Sequence, residues 1–350
     1  MGTLRGIMAW RLAEALILLG LAGGAYAVID PEVLSPVPKV LDGRLQVKTV
    51  RGEGELPIHV SRDWSRPQPG VNRAVIVIHG WPRRDLRSGA YAAAQAGEAA
   101  RGSIVITPQF LIQADVDAHH LPDTVLRWGV NDWAIGYDAA APAPLSSFDA
   151  LDAILARLAD KRLFPDLDVV VIAGHSAGGR FVQHYAAIGN GQTALLNNGV
   201  HIRYVVANPL AYLYFSAARP KPADVGCSQA DRWEYGLGGG LPPYARQPVN
   251  PAALRSAYLS RDIVYLLGSA DTDPAEPELD TGCAAEAQGA TRFERGLNYL
   301  RALPPARGGG GQRLFEVSGV GHHSAAMFAS ECGRYALFDQ GRCVETVVRR

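Results

Sequence analysis

Val169-Val170-Val171-Ile172-Ala173-Gly174-His175-Ser176-Ala177-Gly178-Gly179-Arg180-Phe181 decides how this chain is read. A short apolar, mostly β-branched run has the pattern of a buried strand. It drives directly into Gly-His-Ser-Ala-Gly and on into a helical pattern. A serine at so sharp a strand-to-helix turn needs neighbours nearly free of side chain, and Gly174, Ala177 and Gly178 supply them. Such a nucleophile elbow lifts the Ser176 hydroxyl clear of the sheet. It also sets the Ala177 amide at the start of a helix, where it can donate to a developing oxyanion.

Three other strand ends carry complementary groups. Ile263 to Leu267 leads through Gly268-Ser269-Ala270 to Asp271, with Asp273 two residues on as a competitor for the acid. Leu314 to Val317 runs into Ser318-Gly319-Val320-Gly321-His322-His323. There Gly321 is expected to free the backbone so that His322 points back to the serine, with His323 as the alternative base. Ala74 to Ile78 ends in His79-Gly80-Trp81-Pro82, which makes the Trp81 amide the expected second oxyanion donor. His79 is assigned a loop-shaping role and no proton transfer. The chain order serine, acid, histidine leaves room for the crossovers of a parallel sheet, each needing about a dozen residues or more.

On these four motifs the chain resembles the α/β-hydrolase superfamily, in its serine-nucleophile branch, over about residues 45–330. The stretch Leu266 to Pro274, with Cys283 to Gly289 and Arg292 to Tyr299, is similar to a group of exported microbial α/β hydrolases of mostly undefined substrate. The resemblance implies a doubly wound, mostly parallel α/β sheet. It carries the nucleophile onto Ser176, the acid onto Asp271 and the base onto His322, and leaves Asp273 and His323 open as alternatives. It also implies cleavage of a carboxylic ester through an acyl-enzyme. Amide or peptide cleavage and acyl transfer would use the same residues, and a non-catalytic binding module of the same fold is the alternative of another class.

Composition agrees with one catalytic domain over residues 28–350. The chain has 350 residues, 48% of them hydrophobic, enough for a large core. Its formal net charge is zero and it holds no long run of Lys and Arg, which argues against nucleic acid or an anionic membrane surface as partner. The expected partner is a small or polymeric ester, with no cofactor and no metal. The adjacent pair His119-His120 has no evident carboxylate, and no Cys-x-x-Cys is present.

Residues 1–27 are read as a cleaved secretory signal. Arg5 and Arg11 precede an apolar run, and Ala25-Tyr26-Ala27 fits a signal-peptidase site. The run is interrupted by Glu14 and is shorter than the roughly 20 residues that a membrane span needs. A secreted or periplasmic location suits the four cysteines, all beyond the signal. Four cysteines allow three connectivities. The pairing favoured is Cys227 with Cys283 and Cys332 with Cys343.

Further strands are expected at Leu45 to Val50, Ile58 to Val60, Ser103 to Thr107 and Tyr204 to Ala207. Helical spacing covers Leu151 to Leu158 and Phe181 to Ile188, and the glycine run Gly308 to Gly311 reads as a turn. Two aromatic-rich excursions, 114–144 and 212–251, are expected to wall or partly cover the substrate cleft. Packing of those aromatics onto the domain is the alternative for any single one.

Overall fold

In the computed structural model, residues 31–221, 226–245, 248–304 and 311–348 are described. Residues 1–27, read as a signal, and most of the glycine run lie outside them. An eight-stranded sheet has the order β1-β2-β4-β3-β5-β6-β7-β8. Its strands are β1 Gly43–Thr49, β2 Gly52–Val60, β3 Arg73–Ile78, β4 Ser103–Pro108, β5 Val169–His175, β6 His201–Ala207, β7 Asp262–Gly268 and β8 Gln312–Val317. β1 pairs antiparallel with β2, and β2 antiparallel with β4, while every pairing from β4 to β8 is parallel. All eight expected strands are present, most of them a residue or more longer than the apolar run that marks them.

The parallel strands are nearly continuous apolar runs because both of their faces are covered. Alternate residues go to opposite sides. Ile76, Ile78, Ile172, Val206 and Leu267 join one core cluster with the helices Ser147–Leu158 and Ala177–Ile188. Val75, Val77, Val171, Ala173 and Leu266 join the other, against the helices Ser88–Ala96, Ser324–Ala329 and Glu331–Phe338. The Ser147–Leu158 helix starts at a reciprocal cap, in which Ser146 Oγ accepts from the Phe148 amide and Asp149 accepts from the Ser146 amide.

Strand order places the site. From β3 the chain winds outward to β4, then returns to the other side of β3 as β5. The carboxyl ends of β3 and β5 therefore flank a point where the winding reverses, the place where open α/β sheets form a crevice. Ile78 and Gly174 are paired across it.

Several aromatics of the two excursions follow the alternative given for any single one and pack onto the domain. Trp128 and Trp133 are buried, and Trp133 stacks on Phe110 with ring centroids 5.6 Å apart. Trp233 is buried as well and donates from Nε1 to the Ile135 carbonyl at 2.8 Å, joining one excursion to the other. Tyr244 donates to Asp152, in the middle of the Ser147–Leu158 helix, at 2.8 Å. These rings complete the core on the side of the sheet they cover. The excursions are held down by burial of aromatic area rather than left free over the strand ends.

Candidate active site

Ser176 has φ 60° and ψ −124°, a backbone conformation that residues with a Cβ rarely adopt. The surrounding contacts impose it. A Cβ on Gly174 would lie 2.1 Å from the Gly178 carbonyl oxygen, and one on Gly178 would lie 2.4 Å from the Ile78 carbonyl oxygen. A Cβ on Gly179 would approach the Ala207 carbonyl oxygen to 2.7 Å. Three glycines thus let the elbow helix press against the ends of β3 and β6. The third was not among those singled out from sequence. The Ser176 amide donates to the Ala207 carbonyl at 3.0 Å, fixing the turn to β6.

The acid and histidine loops are stitched to each other. Ser269 donates to the Val317 carbonyl and Ala270 to the Val320 carbonyl, both at 3.0 Å, and Asp271 closes a turn onto Gly268. This brings Asp271 Oδ2 to 2.8 Å from His322 Nδ1. A carboxylate accepts, so Nδ1 carries the proton and Nε2 presents its lone pair. His322 Nε2 and Ser176 Oγ are both buried without a hydrogen-bond partner among the described residues. The two residues line one pocket of about 320 Å³, whose walls include Gly80, Pro82, His175, Glu278 and Ser324.

The competing side chains are engaged otherwise, although His323 also lines the pocket. Asp273 is exposed and its carboxylate accepts from the Ala275 amide at 2.9 Å, shaping its own turn. His323 is exposed and caps the Ser324–Ala329 helix by accepting from the Ala326 amide at 3.2 Å. The expectation for Gly321 needs correcting. It does not have a positive φ, and a Cβ there would meet the Ala270 carbonyl oxygen at an ordinary 3.7 Å. Gly319, with φ 70°, makes the turn that reverses this loop.

Gly80 brings the end of β3 beside the serine, since a Cβ on it would lie 3.6 Å from Ser176 Cβ. The amides of Trp81 and Ala177 donate to no protein acceptor among the described residues. His79 donates from Nδ1 to the Gly80 carbonyl at 2.8 Å and accepts at Nε2 from the Phe110 amide at 2.9 Å. Both ring nitrogens are thereby engaged in holding the loop, and burial pushes the ring's pKa down to about 4.

Two buried arginines were not recognised from sequence. Arg83, half of an apparently superficial Arg83-Arg84 pair, is wholly buried with φ 59°. It donates to Asp115 at 2.9 Å and to the Val33 and Ser35 carbonyls at 2.6 and 3.0 Å, clamping the described amino-terminal residues onto the loop that follows β3. Arg292, also buried, lies 3.5 Å from Asp271 Oδ1 and 2.6 Å from Glu276 Oε2. Nothing local in sequence distinguishes either from a solvated arginine.

Electrostatically, burial raises the Asp271 carboxyl above its ordinary value, and Arg292 opposes the rise. His322 is pushed well below 6.5, first by burial and then by the Arg292 charge. His175 packs its ring against His322 with centroids 4.5 Å apart, and burial depresses it strongly too. Burial thus favours the neutral form of both rings in this tilted pair.

His119 Nε2 lies 2.6 Å from the Val37 carbonyl oxygen, and His120 has φ 51° in the turn that follows. Since a carbonyl accepts, His119 Nε2 is the donor. Cys227 is bridged to Cys283 and Cys332 to Cys343. No helix among the described residues is long and apolar enough to cross a membrane.

No protein-family model and no curated protein matches the chain. Among solved structures it is similar to poly(aspartic acid) hydrolase-1 from Sphingomonas sp. KT-1, with a TM-score of 0.55 and 22% identity over 84% of this chain and 96% of that one. It is also similar to a poly(3-hydroxybutyrate) depolymerase from Bordetella parapertussis, with a TM-score of 0.54 and 23% identity over 86% of this chain and 92% of that one. At these identities the likeness is one of fold.

Proposed function

We propose that this chain, which has the α/β-hydrolase fold, is a serine hydrolase that cleaves carboxylic esters through an acyl-enzyme. One observation supports the reading above the rest. His322 is tied through Nδ1 to Asp271, His322 and Ser176 line one pocket, and His322 Nε2 and Ser176 Oγ are both left without a hydrogen-bond partner among the described residues.

In this reading His322 Nε2 takes the Ser176 proton as Oγ attacks the acyl carbon. Asp271 holds the imidazole tautomer and stabilises the imidazolium. The Trp81 and Ala177 amides receive the oxyanion, aided by the positive end of the elbow helix. His322 then protonates the departing alcohol, and water, activated by the same nitrogen, releases the acid and restores Ser176. The neutral resting state of His322 suits a base that must be ready to accept a proton.

The two similar structures are named for a polyamide and a polyester, poly(aspartic acid) and poly(3-hydroxybutyrate), which favours including polymers among the substrates and keeps amide cleavage by the same triad as the second reading. Two disulfides suit work in an oxidising compartment after removal of residues 1–27, with residues 28–350 as one catalytic domain. Labelling with a fluorophosphonate tests the reading. Stoichiometric labelling at Ser176 together with hydrolysis of p-nitrophenyl acetate is expected. Absence of the label would instead make the chain a binding module, and turnover of peptides but not esters would move it to the amidases.

A further inference from the structure

The pocket at Ser176 shares Arg84, Asp85, His323 and Ala325 with a second, larger groove of about 1060 Å³. Leu41, Leu86, Tyr91 and Ala326 give that groove apolar walls, and Tyr91 is 49% exposed within it. Its charges are one-sided. Lys39, Arg84 and Arg87 lie along it, all exposed. Arg84 is held by Glu32, while Lys39 and Arg87 have no carboxylate within ion-pair distance among the described residues. The acid in the lining, Asp85, is largely buried and accepts from the Arg87 and Ser88 amides. Burial raises its pKa, and those two amides oppose the rise.

We propose that this groove receives the far end of the substrate, and that it selects esters bearing a second, free carboxylate beyond an apolar spacer. The inference rests on the serine-hydrolase reading and adds the substrate class. An apolar spacer leaving the Ser176 pocket past His323 covers Tyr91 and Leu86, gaining burial that a short ester cannot. A terminal carboxylate then reaches two cations, Lys39 and Arg87, that have no ion pair to give up among the described residues. A neutral chain gains the same apolar contact and leaves both cations merely solvated, so charge decides between substrates of equal length.

The test compares p-nitrophenyl hydrogen suberate and hydrogen adipate with the neutral octanoate and hexanoate, reading kcat/KM for each pair. Wild type should favour the acid ester, and high salt should erode that preference. The double variant Lys39→Ala/Arg87→Ala should lower the acid-to-neutral ratio by about tenfold, roughly threefold per exposed cation. Because the readout is a ratio within one preparation, partial loss of folded protein cancels. A wild-type preference for the neutral esters, or a ratio unmoved in the double variant, overturns the groove assignment while phosphonate labelling still supports the serine hydrolase. Failure of labelling and of all ester turnover overturns both.

Discussion

The buried guanidinium of Arg292 lies 3.5 Å from the carboxylate of Asp271, on the side away from His322. It places a fixed positive charge behind the acid, held by the Thr291 cap that starts the Arg292–Ala302 helix. The charge discourages protonation of His322, in the same direction as burial. A general base works when neutral, so the acid limb of kcat/KM should lie below pH 6.5 and activity should persist into mildly acidic solution. Arg292→Met should move that limb upward, and Arg292→Lys should restore it in part. A wild-type limb at or above 6.5 would show that the Asp271 carboxylate outweighs burial and Arg292 together.

Ser176→Ala should lose about 10⁴-fold or more in turnover, as nucleophile deletions do. Comparison with Ser176→Gly isolates the backbone strain. At φ 60° a Cβ is unfavourable by about 1 kcal/mol or more, so the glycine variant should melt above the alanine variant. The opposite order of melting temperatures would argue that the elbow is unstrained.

Asp271→Asn should cost on the order of 10³ to 10⁴ in turnover, and Asp273→Asn far less, because Asp273 serves a surface turn. Likewise His322→Ala should be inactive, whereas His323→Ala should forfeit mainly a helix cap, about 1 kcal/mol of stability. Measured side by side, a reversed ranking in either pair would relocate the role.

Gly178→Ala sets a methyl 2.4 Å from the Ile78 carbonyl oxygen and should destabilise by about 1–3 kcal/mol, while Gly321→Ala should be tolerated. Denaturant midpoints check this. Equal sensitivity at the two positions would contradict the different roles assigned to them.

Mass spectrometry of exported protein should show a mature start near Val28 and no alkylatable thiol. In the chain-entropy account, the longer bridge contributes about 4 kcal/mol and the shorter about 3. An intact Met1 would refute the export argument, and free thiols would refute the oxidising compartment.

The strands were legible because each is a local pattern. Val169 to Ala173 or Ile263 to Leu267 is apolar without interruption, and a sheet covered on both faces asks for nothing else. The elbow was legible for a similar reason, since small residues around Ser176 meet a steric demand made within five positions of chain. The excursions were less so. Trp128, Trp133 and Trp233 have the same residue type whether they line a cleft or fill a core, and the partners that settle it, Phe110 and Ile135, lie in other segments.

Sequence by itself determined the sheet, the serine at its turn, and the strand ends that supply acid and histidine, because these follow from side-chain pattern over a few residues. Tertiary structure alone decided that Asp271 rather than Asp273 meets His322, that Gly319 makes the reversal, and that Arg83 and Arg292 are interior. Burial and charge act through space. Whether a carboxylate or guanidinium faces water or another charge is set by chain tens or hundreds of residues away, which no local pattern records.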